Sequence, residues 1–247
     1  MNMKTEQPQP AGKTADIESG NQKLYPTMLE DPKLLRWTFI RKVYAILTMQ
    51  LLLTIGVAVV VATVHPIGKF FLSTWPGFVL SIVFLVLPLL VLCPLFIYHH
   101  QHPMNILILC LFTVSIAFSV GICCLLTSWR VILETSILAT VVTISLTLYT
   151  FWAAKKGHDF KFLGPFLFVS LLVLLIFCLI QIFHPLGKLW VMIHGCLGTI
   201  LFSGYIIYDT DNLIKRYSDE DYIWASVGLY LDAINLFLSL FNIFRVS

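Results

Sequence analysis

The chain has 247 residues, of which 58% are hydrophobic and 12% are charged, whereas an average soluble domain has about 45–50% apolar and about 25% charged residues. The apolar residues form long blocks instead of recurring at amphipathic intervals, and a water-soluble fold of this size could not bury them. This composition excludes a soluble globular protein, and we attribute the net charge of +3 to membrane topology, with no nucleic-acid partner.

The N-terminal part of the chain is polar. Residues 1–30 contain Gln, Pro, Lys, Glu and Gly without an apolar period, so they are expected to be disordered within a cytosolic segment comprising residues 1–40. The first apolar block begins near residue 43 and is long enough to span a bilayer. A cleaved signal peptide is therefore excluded.

Seven apolar blocks of about 20 residues follow, which is the length that one transmembrane helix needs. Pro, Gly, His and charged residues separate the blocks, and the connections are too short to hold an extramembrane domain. The sequence therefore predicts an all-α integral membrane protein, with a seven-transmembrane-helix bundle in residues 41–247. The predicted spans are 43–64, 77–98, 104–126, 131–152, 163–183, 188–208 and 223–244.

The distribution of Lys and Arg predicts the orientation. The N-terminal segment and the loops on its side of the membrane hold twelve of these residues, and the opposite side holds four. Because cytoplasmic loops are enriched in Lys and Arg, the N-terminus is expected in the cytosol and the C-terminus across the membrane.

Cysteine and histidine give weaker signals. All six cysteines lie in apolar blocks without a C-x-x-C pair, so we interpret them as packing residues and not as a disulfide framework. His99, His100 and His102 lie between spans 2 and 3. Their charge rises as the pH falls, so His99 and His100 are candidates for a gate at the cytosolic mouth. A zinc site is disfavoured because neighbours in a tight loop point in different directions.

Asp232 is the most informative ionisable residue, because it lies near the middle of span 7 and a carboxylate there must be protonated, paired or solvated. At helical intervals from Asp232, one side of span 7 collects small and polar residues, whereas large apolar residues cover the rest. Small and polar residues normally face other helices, so span 7 is expected to be a central helix. The residues of this stripe are Ala225, Gly228, Asn235, Ser239 and Asn242.

Span 6 carries a related face with Gly195, Gly198, Tyr205 and Asp209. Its polar end can extend the helix by about a turn toward Lys215, which would bring Asp209 to the level of Asp232. Two adjacent carboxylates in a low-dielectric site would share a proton and act as a proton-sensitive latch.

The same two oxygen-bearing side chains, Asp209 and Asp232, would also attract calcium. Two carboxylates fall far short of the six to eight oxygens of a tight calcium site, so we expect weak binding and passage. The alternatives are a solvated helix end for Asp209 and a structural hydrogen bond for Asp232. Asn235 and Asp211 are candidate supporting positions, as is Glu134, for which proximity to the non-cytosolic surface favours a structural role.

Three C-terminal segments resemble the signature of the Bax inhibitor (TMBIM) superfamily: residues 206–210 (IIYDT), 221–225 (DYIWA) and 229–237 (LYLDAINLF). Tyr25-Pro26 and residues 35–44 (LRWTFIRKVY) are similar to the lifeguard branch in its plant form. Pro103 and Asn105 in span 3 and residues 133–135 (LET) in span 4 also match, and the resemblance covers residues 25–245.

This resemblance implies a seven-helix fold with span 7 surrounded by the other six. It also implies a pH-sensitive calcium leak across an intracellular membrane, with Asp209 and Asp232 as the proton-sensing pair, and suppression of stress-induced cell death. Plant members are linked to defence and to endoplasmic reticulum, vacuolar, Golgi or plasma membranes. Bacterial relatives have a latching arginine near the inner end of span 2, where this chain has Tyr98-His99-His100, and the basic C-terminal tail of the Bax inhibitor branch proper is missing.

The leading hypothesis is therefore a pH-sensitive calcium leak channel that is not an enzyme. We expect no tightly bound cofactor, and Ca²⁺ would be the permeant ion. The expected partners are the lipid bilayer, Ca²⁺ and protons. A second hypothesis is a membrane scaffold that acts on cell-death or defence-signalling membrane proteins through the N-terminal tail. A third is an intramembrane zinc hydrolase using the three histidines and an aspartate.

Overall fold

A computed structural model describes residues 32–98, 103–125, 127–184, 187–218 and 220–246. The chain divides after Thr38: the described part of the first unit is residues 32–38, and Phe39–Ser247 forms the second. The described residues form eight α-helices and no strand. These helices are α1 (Pro32–Thr63), α2 (His65–Ser73), α3 (Trp75–Tyr98), α4 (Met104–Cys124), α5 (Trp129–Lys155), α6 (Leu163–Phe183), α7 (Lys188–Lys215) and α8 (Tyr222–Val246).

Seven of these helices are long and apolar enough to cross a membrane, which confirms the predicted number. The candidate spans are Leu35–Thr63, Trp75–Tyr98, Met104–Cys124, Trp129–Lys155, Leu163–Gln181, Lys188–Lys215 and Tyr222–Val246. Most of their large apolar side chains point outward, as lipid-facing side chains do. The protein is therefore an all-α, multi-pass membrane protein.

Helix α1 begins eleven residues before the predicted first span. Phe39, Val43 and Leu47 recur every four residues and are all buried, whereas Arg41 and Lys42 between them are exposed. Arg41 and Lys42 mark the N-terminal limit of the apolar block, but the buried residues keep their helical spacing on both sides of them. The predicted span 43–64 lies within α1 except for its last residue, and it is shorter than the helix because it follows the apolar block.

Helix α2 was not predicted, because residues 65–76 lie between two apolar blocks and carry the Pro and Gly residues of a connection. It is only nine residues long, and Thr74 links it to α3. The Thr74 hydroxyl donates to the Phe70 carbonyl at 2.6 Å and accepts from the Gly77 N–H at 3.1 Å. Gly77 is required at this turn, because a Cβ there would lie 2.0 Å from the Phe70 carbonyl oxygen.

Helix α8 is the most buried of the seven spans. Half of the residues in its 18-residue apolar stretch are buried, whereas the share is 11% in three of the other spans. It packs against α4, α5 and α7. Tyr230 hydrogen-bonds Thr54 of α1 at 2.7 Å, and the Trp224 ring meets Phe96 of α3 at a centroid distance of 5.2 Å. The prediction that the last span is central is therefore confirmed.

Glycines allow α7 and α8 to approach closely. A Cβ at Gly198 would lie 2.5 Å from the Ser239 hydroxyl, and one at Gly195 would lie 2.8 Å from the Ser239 carbonyl oxygen. Ser239 turns its hydroxyl onto the Asn235 carbonyl of its own helix at 2.7 Å. This is the small-residue packing typical of membrane helices, and it fixes the distance between the two helices that carry Asp209 and Asp232.

Gly195→Ala should destabilise the bundle, because its methyl group would collide with main-chain atoms of α8 and force the helices apart. Overpacking of this kind costs about 1–3 kcal/mol, measurable as a lower thermal unfolding midpoint in detergent. Gly56→Ala is the matched control, since a methyl group at that position would meet no atom of another helix within 4 Å. Equal midpoints for the two variants would contradict this packing account.

Candidate functional site

Asp209 and Asp232 meet across the interface between α7 and α8. Each carboxyl group is a hydrogen-bonding neighbour of the other. Asp209 lies directly against the α8 backbone at Gly228, where a Cβ would be 2.8 Å from Asp209 Oδ2. Gly228 precedes Asp232 by one helical turn, so the Asp209 side chain occupies the space that Gly228 leaves open. We call these two residues the aspartate pair.

Asp232 is shielded from solvent, and Asp209 is half-buried. Asp232 lies ten residues into α8, about 15 Å along the axis, and is 6% exposed. Its Oδ2 atom is buried and has no hydrogen-bond partner among the described residues. Because two adjacent carboxylates cannot both ionise cheaply in such a site, one shared proton or one bound cation satisfies the arrangement.

Two further residues near the pair were not identified from the sequence. The Asn212 side chain, one turn after Asp209, is its other hydrogen-bonding neighbour. Tyr217 follows the end of α7. Burial, supplemented by the negative charges of Asp209 and Asp232, raises the pKa of Tyr217 above its usual value. The spacing of Asn212 from Asp209 was the only available sequence signal.

Asp211 belongs to a different group. It is fully buried and accepts the Phe160 N–H at 3.3 Å. Lys215 Nζ lies 2.5 Å from Asp211 Oδ1, and Arg216 Nη2 lies 3.5 Å from Asp211 Oδ2. Arg216 Nη2 also lies 2.5 Å from Asp159 Oδ1. We call Asp159, Asp211, Lys215 and Arg216 the basic-end cluster.

The basic-end cluster fastens the loop of residues 156–162 to the end of α7. Lys215 also donates to the His158 carbonyl, so three consecutive loop residues, His158 to Phe160, are all held by α7. This contact places the connections before α6 and after α7 at the same end of the bundle, as the predicted topology requires. Arg216 additionally donates to the Asn212 side-chain oxygen, which connects the cluster to the aspartate pair.

The structure does not bring the two other described candidates, Glu134 and Asn235, to the aspartate pair. Glu134 is exposed and lies near the start of α5, whose other end reaches the basic-end cluster. Asn235 donates to the Leu231 carbonyl of its own helix at 2.9 Å. His99, His100 and His102 lie outside the described residues. Within the described ranges, no group of three or more His, Cys, Asp or Glu side chains could hold a metal ion.

A second buried polar group lies on the opposite side of α8, and the sequence analysis did not find it. Gln50 Nε2 donates to the Thr113 hydroxyl at 3.2 Å, joining α1 to α4, and Thr54 and Tyr230 join α1 to α8. All four side chains are buried. The four-residue interval between Gln50 and Thr54 in an otherwise apolar block was the signal that could have revealed this group.

Asp159 lies in the loop between two candidate spans, outside the membrane-spanning segments. Desolvation acts to raise its pKa, but the Lys161 N–H, the Asp211 side chain, Arg216 and Lys215 outweigh it and lower the Asp159 pKa. A carboxyl whose folded pKa is depressed stabilises the fold above its unfolded pKa of about 3.9, and that contribution is lost as the pH falls through the folded value. The Asp159 contacts are therefore constant near neutral pH.

Asp159→Asn should loosen this loop, because Arg216 and Lys215 would lose one of their two anionic partners. We expect faster amide hydrogen exchange at residues 157–162 and little change in α8. Glu220→Gln removes the same charge at an exposed position of the same end and serves as the control. Equal exchange in both variants would show that the Asp159 contacts do not fasten the loop.

The comparisons with known proteins agree with this architecture. The family model described as "Inhibitor of apoptosis-promoting Bax1" matches residues 36–247. The chain therefore belongs to the Bax inhibitor family, a class of multi-pass membrane proteins. It is 62% identical to Protein LIFEGUARD 4 of Arabidopsis thaliana over 93% of both chains. It is 60% identical to Protein LIFEGUARD 2 of the same plant, over 93% of this chain and 96% of the relative.

A more distant relative is the Golgi anti-apoptotic protein of Vaccinia virus (strain Lister). It is 34% identical, over 86% of this chain and 87% of the relative. The matched region of the family model includes all seven candidate spans except the first residue of the first. It therefore contains both helices that carry the aspartate pair.

Proposed function

We propose that the protein is a pH-sensitive calcium leak channel that lowers stored calcium and thereby suppresses stress-induced cell death. The aspartate pair carries this proposal. It is a desolvated acidic site between two membrane helices, α7 and α8, and it responds to both protons and cations. In this proposal the bundle conducts ions, catalyses no reaction and needs no tightly bound cofactor.

The aspartate pair suits the passage of calcium ions better than tight calcium binding. Calcium prefers hard oxygen ligands, and the two carboxyl groups supply four oxygen atoms, short of the six to eight that a tight site needs. A proton on the pair competes with the cation for the same oxygens. Protonation therefore lowers the negative charge of the pair and favours a closed interface, and deprotonation raises that charge and draws a cation into the bundle.

The cellular part of the proposal comes from the relatives. The family description names an inhibitor of apoptosis-promoting Bax1, and the viral relative is named a Golgi anti-apoptotic protein. We propose an endomembrane location, in the endoplasmic reticulum, vacuole or Golgi, with the plasma membrane as the alternative. The Lys and Arg distribution supports a cytosolic N-terminus, with the basic-end cluster on the cytosolic side.

Asp232→Asn should change calcium flux severalfold in proteoliposomes and flatten its dependence on pH, because an amide cannot exchange the shared proton. Glu134→Gln is the matched control: it also replaces a membrane-helix carboxyl by an amide, but at an exposed position away from the pair. Its pH response should equal that of the wild type. Unchanged flux in Asp232→Asn at every pH would refute the channel proposal.

The alternative function is a scaffold that regulates cell-death and defence-signalling membrane proteins without ion conduction. The polar segment of residues 1–30 supports it, since polar N-terminal segments can recruit partners.

Removal of residues 1–30 separates the two functions. The channel proposal predicts that the truncated protein keeps both calcium flux and protection of stressed cells. Lost protection with intact flux would favour the scaffold. The full-length Asp232→Asn variant supplies the reciprocal comparison in the same cells.

A further inference from the structure

Three lysines surround the turn between α5 and α6. Lys155 and Lys156 end α5, Lys161 lies in the following loop, and all three are exposed. None of them has a carboxylate within ion-pair distance among the described residues. Asp159 and Asp211, the acidic residues of this loop and of the adjoining end of α7, are instead engaged by Lys215 and Arg216. The positive charge of the three lysines is therefore not neutralised by the described part of the protein.

Exposed aromatic rings adjoin these lysines. Trp152 is 53% exposed, and the Lys156 ammonium lies 4.0 Å from its ring centroid. Tyr149 lies one turn earlier, with its ring 6.2 Å from that of Trp152, and Phe162 is 74% exposed at the start of α6. Aromatic rings of this kind are enriched at the level of lipid headgroups. We call Lys155, Lys156, Lys161, Tyr149, Trp152 and Phe162 the lysine–aromatic surface.

The backbone holds this surface in a defined shape. Gly157 has a φ of 82°, and the Gly157 and His158 N–H groups donate to the Ala154 and Ala153 carbonyls, which is a Schellman ending for α5. The basic-end cluster then fixes His158, Asp159 and Phe160 to α7. The lysines therefore project from an ordered turn and need little ordering when they bind a ligand.

We propose that the lysine–aromatic surface binds the headgroup of an anionic phospholipid from the surrounding leaflet. The ammonium groups would donate to the lipid phosphate, while Trp152 and Phe162 would contact its glycerol and upper acyl chains. The adjacent N-terminus of α6 adds a favourable field for a negative group. A soluble phosphate would satisfy the lysines but would leave these exposed rings without an apolar partner, so the surface fits a lipid better.

Native mass spectrometry of the detergent-solubilised full-length protein tests this proposal, with phosphatidylserine and phosphatidylcholine added in equal amounts. We expect the wild type to retain phosphatidylserine preferentially. The double variant Lys156→Gln/Lys161→Gln should lower that preference about 30-fold, as expected for removal of two interfacial lysines.

Lys69→Gln/Lys188→Gln is the matched control, since it removes two exposed lysines at the opposite end of the bundle. It should bind phosphatidylserine as the wild type does. Equal losses in both double variants would overturn the proposal, because they would show dependence on net charge alone. Binding of glycerophosphate as tightly as phosphatidylserine would also overturn it, by assigning the site to a soluble phosphate. A thermal midpoint measured in phosphatidylcholine for each variant excludes unfolding as the cause of lost binding.

Discussion

The tightest constraint in the structure is the contact between two carboxyl groups inside the interface of α7 and α8. Asp209 reaches Asp232 only because Gly228 leaves space for its side chain, and α7 lies close enough only because Gly195 and Gly198 meet Ser239 without intervening side chains. Burying two acids together is unfavourable unless a proton or a cation compensates them. The close packing of α7 on α8 therefore holds together a pair that could not stay ionised there by itself.

The last turns of α7 connect this pair to the membrane surface. Asp209, Asn212 and Arg216 follow one another at intervals of three and four residues, so they share one side of the helix. Asp211 and Lys215 share an adjacent side and fix the loop of residues 156–162. Arg216 and Asn212 thus lie between the membrane surface and the pair, and the contacts of Asp211 and Lys215 shape the turn that carries the lysine–aromatic surface.

The number of spans, the extension of α7 toward Lys215 and the burial of α8 were predictable from sequence, because hydropathy and helical spacing are local properties of the chain. The structure also brings Asp209 and Asp232 together, as expected if span 6 extends by about one helical turn. By contrast, the basic-end cluster joins Asp159 to Arg216 across 57 residues, and no local period encodes that contact. Helix α2 and the start of α1 were missed because a hydropathy block marks the membrane and not the ends of the helix.

The central claim is that Asp209 and Asp232 titrate as one unit, and infrared spectroscopy of the purified protein in lipid tests it most directly. The wild type should show one carboxylic C=O stretching band that both aspartates share and that changes with pH. Replacing either aspartate by asparagine should remove or displace the same band, while Glu134→Gln should leave it unchanged. Two independent bands, each lost in only one variant, would contradict the shared proton on which this account of the pair depends.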